Sequence, residues 1–110
     1  MSNNYAWIIL TFAGLLEVCW AIGLKYTQGF TKPIPSIFTL ICLSLSMYLL
    51  AKATQVLPIG TAYAIWVGIG ALGASIVGML FLNESASLAR IAFLVLLLIS
   101  IIGLKLTARL

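Results

Sequence analysis

The chain has 110 residues, of which 64% are hydrophobic and only 7% are charged. A soluble domain of this length needs more charged surface, so the composition indicates a protein that resides in lipid. The net charge of +4 comes from six basic residues that are spread along the chain, and they form no continuous patch for nucleic acid. We expect membrane lipid, with its anionic headgroups, to be the partner of these basic side chains.

Four long apolar stretches follow one another along the chain, and each is near the ~20 residues that a helix needs to cross about 30 Å of hydrocarbon. The connectors are short and contain turn and capping residues. Pro33 suits the start of the second helix, and Ser87 is one of the candidate caps of the fourth. We predict an all-α membrane protein with one four-helix transmembrane domain over residues 1–110, the spans being 5–24, 33–51, 59–82 and 88–106.

The side chains that most enzymes and metal sites require are scarce. The chain has no histidine or aspartate, and its two carboxylates are Glu17 and Glu84. Cys19 and Cys42 lie inside predicted spans, where a thiol packs like a small apolar side chain. Neither a metal cluster nor a serine, histidine and aspartate arrangement can be built from one such chain. We expect no enzyme, no cofactor and no metal.

Basic residues in short connectors determine how a membrane protein inserts. Because the two sides of the predicted bundle carry equal numbers of them, the chain could insert both ways and pair as an antiparallel homodimer. Alternatively, local sequence fixes one orientation, and charge counting leaves this open. Size favours association, since four helices can hardly surround a solvated cavity alone. Three basic residues fall on each side: Lys25, Lys32 and Arg90 on one, Lys52, Lys105 and Arg109 on the other.

Glu17 lies within roughly 4 Å of the middle of the bilayer, counting 1.5 Å per residue along the first span. Every lysine and arginine lies at or near a span end, and Lys25 is about 12 Å away along the helix. Burial favours the neutral acid, so Glu17 must be protonated, hydrated or paired with a mobile cation. We predict a proton or ion site at Glu17, and in a dimer the two Glu17 side chains would titrate as a coupled pair. The alternative is that Glu17 is a structural, hydrogen-bonded acid.

The neighbours of Glu17 offer chemistry that suits a cation. Residues three and four apart share a helix face, and the second and third spans carry polar and aromatic stripes of their own. Aromatic faces attract a cation while the acid supplies the countercharge, and Ser46 and Tyr63 could orient the carboxylate by hydrogen bonding. The aromatic residues could equally be packing residues, and Trp7 is expected to anchor the membrane interface. The predicted proton and cation site is formed by Glu17, Trp20, Ser46, Tyr63 and Trp66, with Gly14 and Val67 lining it.

The glycine-rich segment "GIGALG", residues 68–73, matches a dinucleotide-binding pattern by letter. It lies inside a membrane span with no strand before it, so that function is excluded. Close helix packing is the default role of the glycines, because small residues recur at four-residue spacing in this span. A second hypothesis is that Gly68, Gly70 and Gly73 form a hinge that lets the cavity open to alternate sides. The sequence does not separate the two.

Two segments, "EVCWAIGLKYTQGFTKPIPS" and "LPIGTAYAIWVGIGALG", resemble the small multidrug resistance family and specifically its guanidinium exporter branch. The resemblance covers essentially the whole chain. It implies four helices, an antiparallel homodimer and proton-coupled export of cations across the bacterial cytoplasmic membrane. The essential acid of the family falls on Glu17, and its binding positions fall on Trp20, Ser46, Tyr63 and Trp66.

Substrate choice depends on a few positions of this resemblance. Trp20 and Thr61 favour guanidinium, because exporters of polyaromatic cations usually lack the tryptophan and read closer to "TGIAYAIWSG". Val67 stands where the branch usually carries threonine, and the lost hydroxyl beside Trp66 would make the pocket more apolar. This would broaden it towards alkylated guanidinium or quaternary ammonium ions. A multidrug exporter of quaternary ammonium compounds is therefore the runner-up, and a channel or a structural assembly subunit are the other classes.

Overall fold

A computed structural model describes residues 3–108 as four α-helices joined by three short connectors. Each helix is long and apolar enough to cross a membrane. The predicted spans are confirmed to within two residues at every end, and the chain is a multi-pass membrane protein. The helices are α1, Asn3–Tyr26; α2, Pro33–Ala53; α3, Ile59–Phe81; and α4, Leu88–Leu106.

The helices form a flat layer in the order α2, α1, α3, α4. α1 packs against both α2 and α3, whereas the contact between α2 and α3 is small. Within residues 3–108, α4 packs against α3 alone, and none of its residues is buried. The fold measures 41 × 35 × 17 Å. Apart from the small contact between α2 and α3, each helix contacts only its neighbours in this order, so the four helices lie essentially in one layer.

The core lies where α1 meets its two neighbours. α2 turns its mildly polar stripe towards this core: Thr39 and Ser46 are fully buried and Cys42 is nearly so. Small residues on α1 allow the helix axes to approach closely. The core consists of Ala6, Leu10 and Ala13 of α1, Leu50 and Ala53 of α2, Leu57 of the second connector, and Ala62, Ile65 and Trp66 of α3.

The first connector reverses the chain with three consecutive residues in the left-handed region. Gln28, Gly29 and Phe30 have φ values of 48°, 73° and 65°. The buried Thr27 hydroxyl stabilises the turn, because it donates to the carbonyl of Leu24 at 2.8 Å and accepts from the N–H of Phe30 at 3.2 Å. α2 therefore starts directly beside the end of α1.

The third connector confirms one predicted cap and gives Arg90 a partner. The Ser87 hydroxyl accepts a hydrogen bond from the N–H of Arg90 at 3.2 Å and caps α4. The Arg90 guanidinium lies 3.1 Å from Glu84 Oε1, whereas the sequence suggested only that it reaches the headgroups. Lys25 lies in the last turn of α1 on this side, while Lys52 and Lys105 lie in the last turns of α2 and α4 at the other end. Arg109, which enters the predicted charge balance, lies outside the described residues.

Candidate functional site

The side chain of Glu17 lies against Gly70, where α1 crosses α3. A Cβ atom added to Gly70 would lie 2.7 Å from Glu17 Cγ and closer still to the carboxyl group. Only a residue without a side chain leaves this space free. Glu17 Oε2 is buried and has no hydrogen-bond partner among residues 3–108, and no lysine or arginine in that range forms an ion pair with it. The acid is thus held by packing.

Two linked hydrogen bonds tie α1, α2 and α3 together one helical turn from the acid. The Trp66 indole N–H of α3 donates to Ser46 Oγ of α2 at 2.9 Å. The Ser46 hydroxyl in turn donates to the carbonyl of Ala13 on α1 at 2.6 Å. Ala13 lies four residues before Glu17, on the same helix face. Trp66 is 5% exposed and Ser46 is 0% exposed. The two hydrogen bonds are therefore shielded from solvent, and they hold α1, α2 and α3 together near the acid.

The expectation that Ser46 orients the carboxylate is wrong for this arrangement. A serine hydroxyl has one proton to donate, and Ser46 gives it to the Ala13 carbonyl. Ser46 positions the Trp66 indole instead. The sequence did not predict the role of Ala13, because Ala13 accepts the hydrogen bond through its backbone oxygen. The only signal in the sequence is that Ala13 lies one helical turn before Glu17.

The three aromatic residues of the predicted site occupy different environments. The Tyr63 ring lies 5.7 Å from the Trp66 ring at an interplanar angle of 45° and is 54% exposed. Trp20 lies almost one turn after Glu17 and packs against the core, yet its indole Nε1 is buried without a hydrogen-bond partner in the described residues. Two aromatic residues are therefore mostly fixed by packing, and Tyr63 presents a face outward.

The two predicted lining residues do not lie together in one chain. Gly14 is buried against α3, where an added Cβ would lie 2.7 Å from Ile69 Cγ2. Val67 is 38% exposed, although the adjacent Trp66 is almost fully buried. Gly14 is thus a close contact between α1 and α3, and Val67 faces outward from the layer.

Gly68, Gly70 and Gly73 of α3 are contact points with the neighbouring helices. An added Cβ at Gly68 would meet Ile101 of α4, and one at Gly73 would collide with Val18 of α1. With Gly70 against Glu17, the packing role is confirmed at all three positions. α3 runs as one α-helix through them, and the hinge stays a prediction.

Comparison with known proteins identifies the family. Residues 5–97 match the family described as Small Multidrug Resistance protein. A protein named Guanidinium exporter from Yersinia pestis is 61% identical over 103 residues, which cover 94% of this chain and 99% of that protein. Guanidinium exporters of Salmonella typhimurium (60% identical; 94% and 98% covered) and Escherichia coli K12 (57%; 93% and 97%) match similarly. The chain belongs to the small multidrug resistance family, in the branch that contains these guanidinium exporters.

Proposed function

We propose that this protein is a proton-coupled antiporter that exports guanidinium-type cations, with protons and substrate competing for Glu17. The observation that carries the proposal is a carboxyl group in the middle of a membrane-spanning helix that forms no ion pair with a lysine or arginine of residues 3–108. A structural acid in hydrocarbon needs a fixed partner, whereas a transport site must remain available to a mobile one. Relatives that are 57–61% identical and are named Guanidinium exporter support the choice of cation.

The working unit that we propose is an antiparallel homodimer of the 110-residue transport domain, in the cytoplasmic membrane of a bacterium. Four helices that lie side by side in one layer do not enclose a cavity by themselves. A second copy inserted the other way would face the first and bring a second Glu17 to the same depth. The balanced basic residues favour such dual insertion.

The chemistry of the paired acids fits a planar cation. A guanidinium ion presents parallel N–H donors, which two carboxylates can accept in a bidentate manner. Tyr63 has an exposed ring, and aromatic faces attract cations. The hydrogen bond to Ser46 holds the Trp66 indole in place, and the Tyr63 ring packs against it.

Transport then follows from mutual exclusion. When both acids are protonated they cannot hold the cation, and when the cation binds the protons must leave, so each ligand expels the other. In an antiparallel dimer, the inward-open and outward-open states are the same asymmetric structure with the protomers exchanged. Cation export and proton entry are therefore coupled at one site.

Proton movement in liposomes tests this proposal directly. With purified protein and an imposed guanidinium gradient, we expect protons to move against the cation flux, and Glu17→Gln to abolish both fluxes. A channel would pass guanidinium without obligatory proton exchange. An assembly subunit would show neither flux, and its function would survive Glu17→Gln.

A second candidate is export of quaternary ammonium ions, and Val67 is the observation that favours it. Its apolar side chain is 38% exposed and supplies no hydroxyl next to Trp66, which suits an alkylated cation better than a bare one. Competition between guanidinium and tetramethylammonium for the purified protein separates the two. The guanidinium assignment requires that guanidinium be the tighter ligand.

A further inference from the structure

A crevice opens between α1 and α4 on one face of α3, and nothing in the mechanism above uses it. It has a volume of about 430 Å³. Its floor includes Ile65 and Ile69 of α3, and Ile101 and Ile102 line the α4 wall. Ile69 lies ten residues into α3, so the crevice extends about 15 Å from the membrane surface towards the bilayer centre. We call it the α1–α4 crevice.

A cation lies at the outer end of this crevice. Lys105, in the last turn of α4, lines it together with Trp7 of α1, and the Lys105 Nζ atom lies 5.5 Å from the centroid of the Trp7 ring. An aromatic ring covers one side of an ammonium group, which has three N–H donors. The remaining donors point away from the ring and are available to an anion.

Lys105 forms no ion pair with an acidic side chain of residues 3–108. The sequence has two acids: Glu17 lies in the middle of α1, and Glu84 lies in the connector at the opposite membrane surface, where it pairs with Arg90. Within the described residues Lys105 therefore has no carboxylate partner, and its ammonium group can bind an anion from outside the chain. Basic pockets between transmembrane helices commonly bind acidic lipid headgroups, and tryptophan is enriched at this depth of the membrane.

We propose that the α1–α4 crevice binds one anionic phospholipid, with its phosphate on Lys105 and one acyl chain along the isoleucine floor. The mixed lining explains why the occupant is a lipid. A free phosphate would leave the isoleucine floor uncovered, and an uncharged lipid would leave Lys105 without a counter-ion. Since the backbones of α1 and α4 do not approach each other within residues 3–108 and the Lys105–Trp7 contact bridges them at one end of the crevice, the lipid adds a second connection between α4 and α1 and stabilises the fold.

Lys52 supplies a matched control. It lies in the last turn of α2, at the same end of the molecule as Lys105, and its Nζ atom lies 5.8 Å from the centroid of the Tyr48 ring. Tyr48 is 57% exposed, and neither residue lines the α1–α4 crevice. Lys52→Gln removes the same charge and the same kind of ring contact without touching the crevice.

Lipid retention by the full-length protein tests the proposal. In neutral detergent, we expect dioleoyl phosphatidylglycerol to bind once per chain, to raise the thermal midpoint, and to bind about tenfold more tightly than dioleoyl phosphatidylcholine. Lys105→Gln should abolish this preference, and Lys52→Gln should retain it. Thr11→Trp places a bulky ring into the crevice from an exposed position; it should reduce binding of both lipids while the charge of Lys105 remains.

Three results would overturn the proposal. Equal lipid preference in the two lysine variants would show that Lys105 is an ordinary surface charge. Equal stabilisation by glycerol 3-phosphate would show an anion site without a lipid. Exclusion of lipid from the dimer, with Lys105→Gln changing dimer affinity, would show that a second copy covers the crevice. Because Glu17 is not used, Glu17→Gln should bind the lipid normally, whatever becomes of the transport proposal.

Discussion

The carboxyl of Glu17 occupies space that Gly70 leaves free, so the acid and the glycine act as one unit. Gly70 has no chemistry of its own, yet any side chain there would push the carboxyl out of its place. Ser46 plays a similar indirect part, because it holds Trp66 and ties α2 to α1. Gly70 thus positions the carboxyl group, and Ser46 positions the indole, of the proposed site.

Gly70→Ala should reduce guanidinium-driven proton transport roughly tenfold to a hundredfold, because the carboxyl must shift by about an ångström. Gly60→Ala is the matched control on the same helix, since an added Cβ there meets nothing within 4 Å. Proton flux in liposomes measures both variants. Equal rates for the two alanine variants would show that the contact between Gly70 and Glu17 has no role in transport.

Ser46→Ala should destabilise the protein by about 1–2 kcal/mol, because it leaves the buried Trp66 N–H without an acceptor. Ser44→Ala is the control, since Ser44 is exposed on the same helix. Unfolding in detergent followed by circular dichroism measures the difference. In the Trp66→Phe background the cost of Ser46→Ala should fall, and an unchanged cost would mean that the two groups are not coupled.

Glu17 could be found from the sequence because a single acid in an apolar span is conspicuous. The direction of the Ser46 hydroxyl could not be found that way. It depends on how α1, α2 and α3 are rotated about their axes, and on a backbone oxygen of Ala13 that no sequence pattern marks. Spacing correctly placed Ser46 on the inner face but did not reveal its partner.

Among the elements, α3 determines the arrangement, because it contacts α1 on one side and α4 on the other. Three of its glycines contact these neighbours: Gly68 meets Ile101 of α4, while Gly70 and Gly73 meet α1. Hydropathy predicted the helix bounds well, since each span must cover the same thickness of hydrocarbon. It could not predict the order α2, α1, α3, α4, because lipid-facing and protein-facing surfaces are both apolar.

Gly73→Ala should lower stability and transport by packing strain alone, since the added Cβ would collide with Val18. Removing the opposing methyl groups in the double variant Gly73→Ala/Val18→Ala should restore most of the loss. Thermal stability and proton flux are both measured. If the double variant regains stability but stays inactive, Gly73 is needed as a hinge and the packing explanation of its role fails.

For the whole molecule, the flat shape is the main consequence of the fold. One layer exposes both faces of α1 and α3, so a site built on α1 stays open until something covers it. The basic residues at the two ends are nearly balanced, so they do not determine the orientation in which the chain inserts. Among the described residues, Lys25, Lys32 and Arg90 lie at one end and Lys52 and Lys105 at the other. Both features favour a partner of opposite orientation.

Orientation can be measured with Ser85→Cys, in the α3–α4 connector, after Cys19 and Cys42 are replaced by alanine. An impermeant maleimide should label this position from both sides of the membrane in comparable amounts. Lys25→Gln/Lys32→Gln and Lys52→Gln/Lys105→Gln should bias insertion in opposite directions. Each should be inactive alone and active when both are co-expressed. Labelling of the parent protein from one side only would contradict dual insertion.

Calorimetric titration of the purified protein with guanidinium at several pH values tests the central claim most directly. If protons and guanidinium compete for Glu17, guanidinium binding should release protons into the buffer. At pH values where Glu17 of the free protein is protonated, the affinity for guanidinium should fall by up to about tenfold for each pH unit if one proton is displaced. Glu17→Gln should neither bind guanidinium nor release protons. Binding that is independent of pH, or that survives in Glu17→Gln, would contradict the account.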